Sequence, residues 1–141
     1  MNALEILKKI RKYELEKEEH QLMLQHREVY TRLHELQTSQ QKLQSDLFAK
    51  EAFQGSSLLR HFDTHFVESE QAILTRTNEH QKSIEQRDQQ IEKTLLSKQR
   101  HDMIERVIEH RQELALEEED QRDRKFLDDI TQTRYAMRIA S

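Results

Sequence analysis

Leu15, Leu22, Val29, Leu36 and Leu43 recur every seven residues along the first third of the chain, and Leu33 and Leu47 fill four-residue steps between them. A seven-residue apolar repeat is the seam of one helix lying along another, with His26 and Gln40 occupying two of its inner positions. A second series, Ile73, Thr77, His80, Ile84, Arg87, Ile91 and Leu95, alternates steps of four and three. It slips by two four-residue steps and resumes at Met103, Val107, His110 and Leu114, a stutter-like change that locally unwinds a supercoil. With so many polar groups in both seams, the pattern predicts a soft coiled coil and no tightly packed core.

The strongest interruption is Gln54-Gly55-Ser56-Ser57. Gly tolerates the left-handed conformation that closes a helix, and a following Ser can cap the next one. Asp63 or Thr64 is an alternative start for the second helix, which leaves 58–66 as a tip of irregular structure. The expected architecture is all-α: one antiparallel coiled-coil hairpin spanning 1–141, with arm 1 over about 3–53, the turn and tip over about 54–66, and a longer arm 2 over about 67–137. At ~1.5 Å per residue the two arms reach roughly 75 Å and 120 Å. If the turn centres near residue 56, the first arm runs out opposite about residue 109. The stretch from Glu117 to Lys125 then carries no apolar residue, as suits a helix without a neighbour. Glu118–Arg122 and Asp120–Arg124 are four apart in the favourable order, each pair contributing about 0.2–0.5 kcal/mol to helix formation.

Composition agrees with long helices. Ala, Glu, Lys, Leu and Arg supply 66 of 141 residues and Gln another 16, against one Gly and no Pro, too few special backbone positions for a many-turned globular enzyme. The lack of Cys excludes a disulfide framework, thiolate metal ligation and a Cys nucleophile, and suits a reducing, cytoplasmic setting. A net charge of -4 provides no general attraction to nucleic acid or anionic lipid. No apolar run approaches the ~20 residues of a membrane span, and the first residues lack the apolar block of a signal peptide.

Candidate chemistry is sparse. His61 and His65, four apart with Asp63 between them, are the best metal pair, but they lack a convincing third ligand. No Glu has a His three residues after it, so the carboxylate-bridged di-iron signature is missing. No Gly-flanked nucleophile or Gly-rich phosphate loop is present either. Catalysis, a metal and a cofactor are therefore not expected. Phe48, Phe53, Phe62 and Phe66 gather around the turn. They serve either as a cap stapling the hairpin tip or as a docking patch, and the two roles are compatible. At the other end Lys8, Lys9, Arg11, Lys12 and Lys17 make the start of the first arm locally basic, as a solvated helix face or as a surface for a polar partner.

The run from Glu118 to Ile130, ending at Arg134, resembles the FliJ/YscO family, the small stalk proteins of flagellar and injectisome type III secretion. Leu127-Asp128-Asp129 stands where that family has a Leu-Asp-Glu-like step, with Asp replacing Glu. Leu4-Glu5-Ile6-Leu7-Lys8-Lys9-Ile10-Arg11 is similar to the family's opening of apolar pairs and basic residues. The likeness covers the whole chain in plan and about 30 residues in pattern. It implies a central stalk that sits in the pore of the hexameric secretion ATPase, promotes its activity and reaches an export-gate membrane protein, with export chaperones as further partners. Such a protein is cytoplasmic and peripheral to the inner-membrane apparatus, and it serves virulence if the system is an injectisome. The resemblance places the ATPase contact on Lys8, Lys9, Arg11, Lys12, Arg122, Arg124, Lys125 and Arg134, and the export-gate contact on the four Phe residues of the tip. The competing expectations are a generic coiled-coil scaffold or dimerisation module and a metal-binding helical bundle.

Overall fold

The computed structural model describes residues 2–52 and 59–140, and within them the protein is all-helical: two helices, α1 (Ala3–Ala52) and α2 (Leu59–Ala140), pack against each other. The expected turn at 54–57, and Phe53 beside it, lie outside the described residues. The start of α1 follows from its first polar side chain. Asn2 Oδ1 accepts the Leu4 backbone N–H at 2.8 Å, and Asn2 O accepts that of Ile6 at 3.3 Å, so two of the donors a helix start leaves open are used. Glu5 in the first turn and Lys50 in the last both match the helix dipole. Residues 59–66, expected in an irregular tip, are the first turns of α2. No helix breaker stands in Leu59-Arg60-His61-Phe62, and Thr64 satisfies its hydroxyl on the Arg60 carbonyl at 3.2 Å. Thr38, Thr75, Thr77 and Thr131 donate in the same way to the carbonyl four residues back, which is how residues of modest helix propensity sit within long helices.

The described residues form two compact units, one of Met1–Lys12 with Gln99–Ser141 and one of Tyr13–Lys98. In the second unit, Leu15, Leu22, Val29, Leu36 and Leu43 do face inward along α1, but the inner positions between them differ from the expected ones. Gln25, Arg32, Ser39 and Asp46, three residues on from each apolar position, are half-buried, whereas His26, Gln40 and Leu47, four residues on, are exposed; Leu33 is half-buried beside Arg32. On α2, Ile73, His80, Ile84 and Arg87 are half-buried as the spacing predicts, but Thr77, Ile91 and Leu95 are exposed. The inward series runs instead through Arg76, Ser83, Gln90, Thr94 and Ser97. In the other unit His101, Ile104 and Ile108 are half-buried, whereas Met103, Val107, His110 and Leu114, expected in the seam, are exposed.

Polar pairing explains the choice. Gln90 Nε2 donates to the Glu18 backbone carbonyl at 3.2 Å and also bonds the Glu18 carboxylate, and Thr94 Oγ1 reaches the same carbonyl at 3.3 Å. Arg76 donates to the Glu35 carbonyl at 3.1 Å. The Arg32 guanidinium meets Glu28 at 2.8 Å, Glu79 at 3.1 Å and Glu35 at 3.4 Å. Apart from Arg32 with Glu28 and Glu35, which lie on α1 itself, each contact joins a polar side chain to a partner on the facing helix, so turning α1 to bring Leu47 and His26 inward would break several at once. Among the described residues the buried set is small: Leu36 at 8% exposure and Ser83 at 3%, with no large side chain fully buried. Ser83 donates to the His80 carbonyl at 2.6 Å, so its burial leaves no hydroxyl unsatisfied.

Candidate partner-binding surfaces

The Phe residues around the tip fall into two groups. Phe62 and Phe66, four apart on α2, are half-buried, and Lys50 Nζ lies 5.5 Å from the centroid of the Phe62 ring. The same ammonium group stands 3.4 Å from Asp63 Oδ1. Together these contacts tie the end of α1 to the start of α2 through one cation shared by a ring face and a carboxylate. Phe48 is different: it is 81% exposed on α1 and leaves an unsatisfied apolar surface. The structure therefore uses Phe62 and Phe66 as packing groups and presents Phe48 outward. One neighbouring histidine is also engaged. His65 Nε2 lies 2.9 Å from Asp46 Oδ2, and Asp63 is held by Lys50, so His61, Asp63 and His65 do not converge as ligands.

A cluster that spacing did not single out lies in the unit of Met1–Lys12 and Gln99–Ser141. His101, Asp102 and Glu105 bring one ligand atom each to within 4.8 Å of one another, with the His101 ring nitrogens 3.7 Å from either carboxylate. The sequence signal was His101 and Glu105 at four residues' separation on one helical face. Lys8 Nζ stands 3.9 Å from the same Glu105 oxygen. The Lys8 ammonium and the Glu105 carboxylate thus pair between the two chain segments of that unit, beside the His101 ring, whose Nε2 is buried without a hydrogen-bond partner among the described residues.

All eight basic residues expected to contact an ATPase belong to this unit. Lys8 is drawn into the contact with Glu105, Arg11 is half-buried, and Lys9 and Lys12 are exposed. Arg122, Arg124, Lys125 and Arg134 are exposed on α2, and Arg124 pairs with Asp120 at 3.0 Å. Asn2, Leu4 and Glu5 share a shallow cleft with Ile108, Arg111 and Ala115, which puts the start of α1 beside this part of α2. From residue 116 to residue 140 every position except Ile130 is exposed. That segment contains more than charge. Phe126, Leu127, Tyr135, Met137 and Ile139 are large apolar side chains open to solvent, and Leu127, Ile130, Arg134 and Met137 repeat in steps of three, four and three along one face.

Among titrating groups, the Arg32 guanidinium is held above its ordinary range, first by its hydrogen bond to Glu28 and that residue's charge, then by Glu79 and Glu35, with burial opposing them. It is a fixed cation in the helix–helix contact and a structural group. Among the described residues no helix is long and apolar enough to cross a membrane. In comparisons with known proteins, the chain matches no family model, no curated protein and no solved structure.

Proposed function

We propose that this chain is a non-enzymatic stalk of a type III secretion system, an antiparallel coiled-coil hairpin whose longer second helix works at the pore of the hexameric secretion ATPase. The observation that carries the reading is the helical segment 116–140, exposed at every position but Ile130, which carries an acidic run from Glu117 to Asp120, then mixed charges to Lys125, and then large apolar side chains. A helix that turns both kinds of surface to solvent is suited to a partner that surrounds it. Two sequence-distant basic groups in one unit, Lys8 to Lys12 and Arg122 to Arg134, fit the same end of such a contact. The order of interhelical partners in the other unit also supports the hairpin: Glu18 with Gln90, Arg32 with Glu79, Asp46 with His65.

On this reading the stalk is cytoplasmic and peripheral to the inner-membrane apparatus of an injectisome or a flagellum. Its charged end biases the ATPase subunits while performing no chemistry, its tip meets the export gate through Phe48, and export chaperones are further clients. Exposed ion pairs contribute only about 0–1 kcal/mol each, so such contacts can be exchanged between subunits of a ring without trapping one orientation. Co-purification with a secretion ATPase, followed by ATP hydrolysis with and without this chain, tests the proposal. Stimulated hydrolysis is expected; absence of both binding and stimulation overturns it. The alternative is a generic coiled-coil scaffold or dimerisation module, favoured by the solvent-exposed apolar side chains of both helices. A partner set without any secretion ATPase would select it.

A further inference from the structure

Within the unit Tyr13–Lys98, α1 turns a second face away from α2. Met23 and Tyr30 are 42% and 76% exposed there, and with Leu22 and His26 they border an open groove of about 580 Å³ flanked by Glu19 and Arg27. Neither Glu19 nor Arg27 has an ion-pair partner among the described residues, although most charged groups of the helix–helix contact do. The arrangement of this face is symmetric in chemistry about Met23. Glu19 and Arg27 stand four residues to either side, and Glu16 and Tyr30 seven.

We propose that this face is an interface between two copies of this chain, with their α1 helices packed antiparallel about a two-fold axis at Met23. Such an axis carries residue i of one copy to the level of residue 46 minus i of the other. Glu19 then meets Arg27 of the second copy and Arg27 meets its Glu19, while Glu16 meets the Tyr30 hydroxyl as acceptor to donor. Met23 meets its counterpart at the centre. An isologous contact requires a patch complementary to itself, and opposite charges placed equally on both sides of an apolar centre satisfy that requirement. Parallel packing would set Glu19 on Glu19 and Arg27 on Arg27, which like-charge repulsion opposes. The face from Glu16 to Thr31 is ~24 Å long at ~1.5 Å per residue, which places the contact in the small, weak class below ~1,200 Å². The two-helix unit has little apolar core of its own, so even a weak second layer covers surface that α2 does not.

The lack of cysteine makes the test direct. Met23→Cys puts one thiol per copy on the proposed axis, where two helices in contact bring the sulfurs within disulfide reach. The purified chain alone, oxidised in a glutathione buffer, is expected to form a covalent dimer roughly tenfold faster than Ser45→Cys, an exposed position on the same helix, because association raises the local thiol concentration. Adding Glu19→Arg should bring the rate down to that of the control, and adding Arg27→Glu as well should restore it. Cross-linking of Met23→Cys no faster than the control overturns the proposal and leaves the face to a different partner; a double charge exchange that does not restore the rate overturns it too. No ATPase is present in this experiment, so its outcome is separate from that of the stalk reading.

Discussion

Gln25 occupies an inner position of α1, and its Oε1 is buried with no hydrogen-bond partner among the described residues. An unpaired buried acceptor costs about 1–3 kcal/mol, and Leu at the same position would add apolar contact at a heptad site. Gln25→Leu is therefore expected to stabilise the protein by about 1–2 kcal/mol in urea unfolding; a lower midpoint would mean that the amide makes a bond worth more than the apolar gain. Leu36, the most buried apolar residue described, has the opposite outlook. Truncating it leaves a gap in a helix pair with few other apolar contacts, so Leu36→Ala should cost about 2–4 kcal/mol by the same measurement. A cost under about 0.5 kcal/mol would place it with surface substitutions and contradict its burial.

The two helices are held in register by side chains reaching across to backbone carbonyls. Gln90 and Thr94 both grip Glu18, and Arg76 grips Glu35. Polar residues at seam positions lower stability but specify register, since sliding by one turn strands each of them. Near the tip the division of labour among the aromatics follows the same logic. Phe62→Ala with Phe66→Ala removes half-buried rings and the Lys50 contact, and is expected to lower the unfolding midpoint by the equivalent of about 2–4 kcal/mol. Phe48→Ala should leave the midpoint within about 0.5 kcal/mol and, on the stalk proposal, weaken capture of an export-gate protein in a pull-down. If Phe48→Ala binds normally and the double variant fails to bind while remaining fully stable, the packing and docking roles are reversed.

For the molecule as a whole, the exposed segment 116–140 is the part whose surface most needs a partner. On the stalk proposal, reversing Arg122, Arg124 and Lys125 to Glu is expected to abolish stimulation of a secretion ATPase with little change in helix content, because all three side chains are exposed. Raising the salt concentration should weaken stimulation by the unmodified protein, since screening shortens the reach of exposed charges to ~3 Å at 1 M. Stimulation that survives both treatments would move the contact to the apolar stripe of Phe126, Leu127 and Met137. The charged run was visible in the order of residues, whereas the large apolar side chains after it stood out only through their exposure in the folded chain. What pattern alone leaves open is which of them a partner covers, because an amphipathic face looks the same whether or not something lies on it.

Much of the fold was legible from local rules. One Gly and no Pro left room for very few connections, and the seven-residue repeat of Leu15, Leu22, Val29, Leu36 and Leu43 identified a face of α1 that is inward in the structure. Backbone preference and periodicity are properties of a short stretch of chain, so they can be read there. The other half of the seam could not be. Positions three and four beyond each apolar residue lie on either side of the same stripe, and apolarity favoured Leu33 and Leu47. Contacts across the helices brought Arg32 and Asp46 inward and left Leu47 exposed, and those contacts depend on Glu79 and His65, far along the chain. The roles of Phe48 and Lys8 were hidden for the same reason. Whether a ring is a staple or a free surface, and whether a lysine is solvated or paired with Glu105, is settled by which neighbour the folded chain brings beside it.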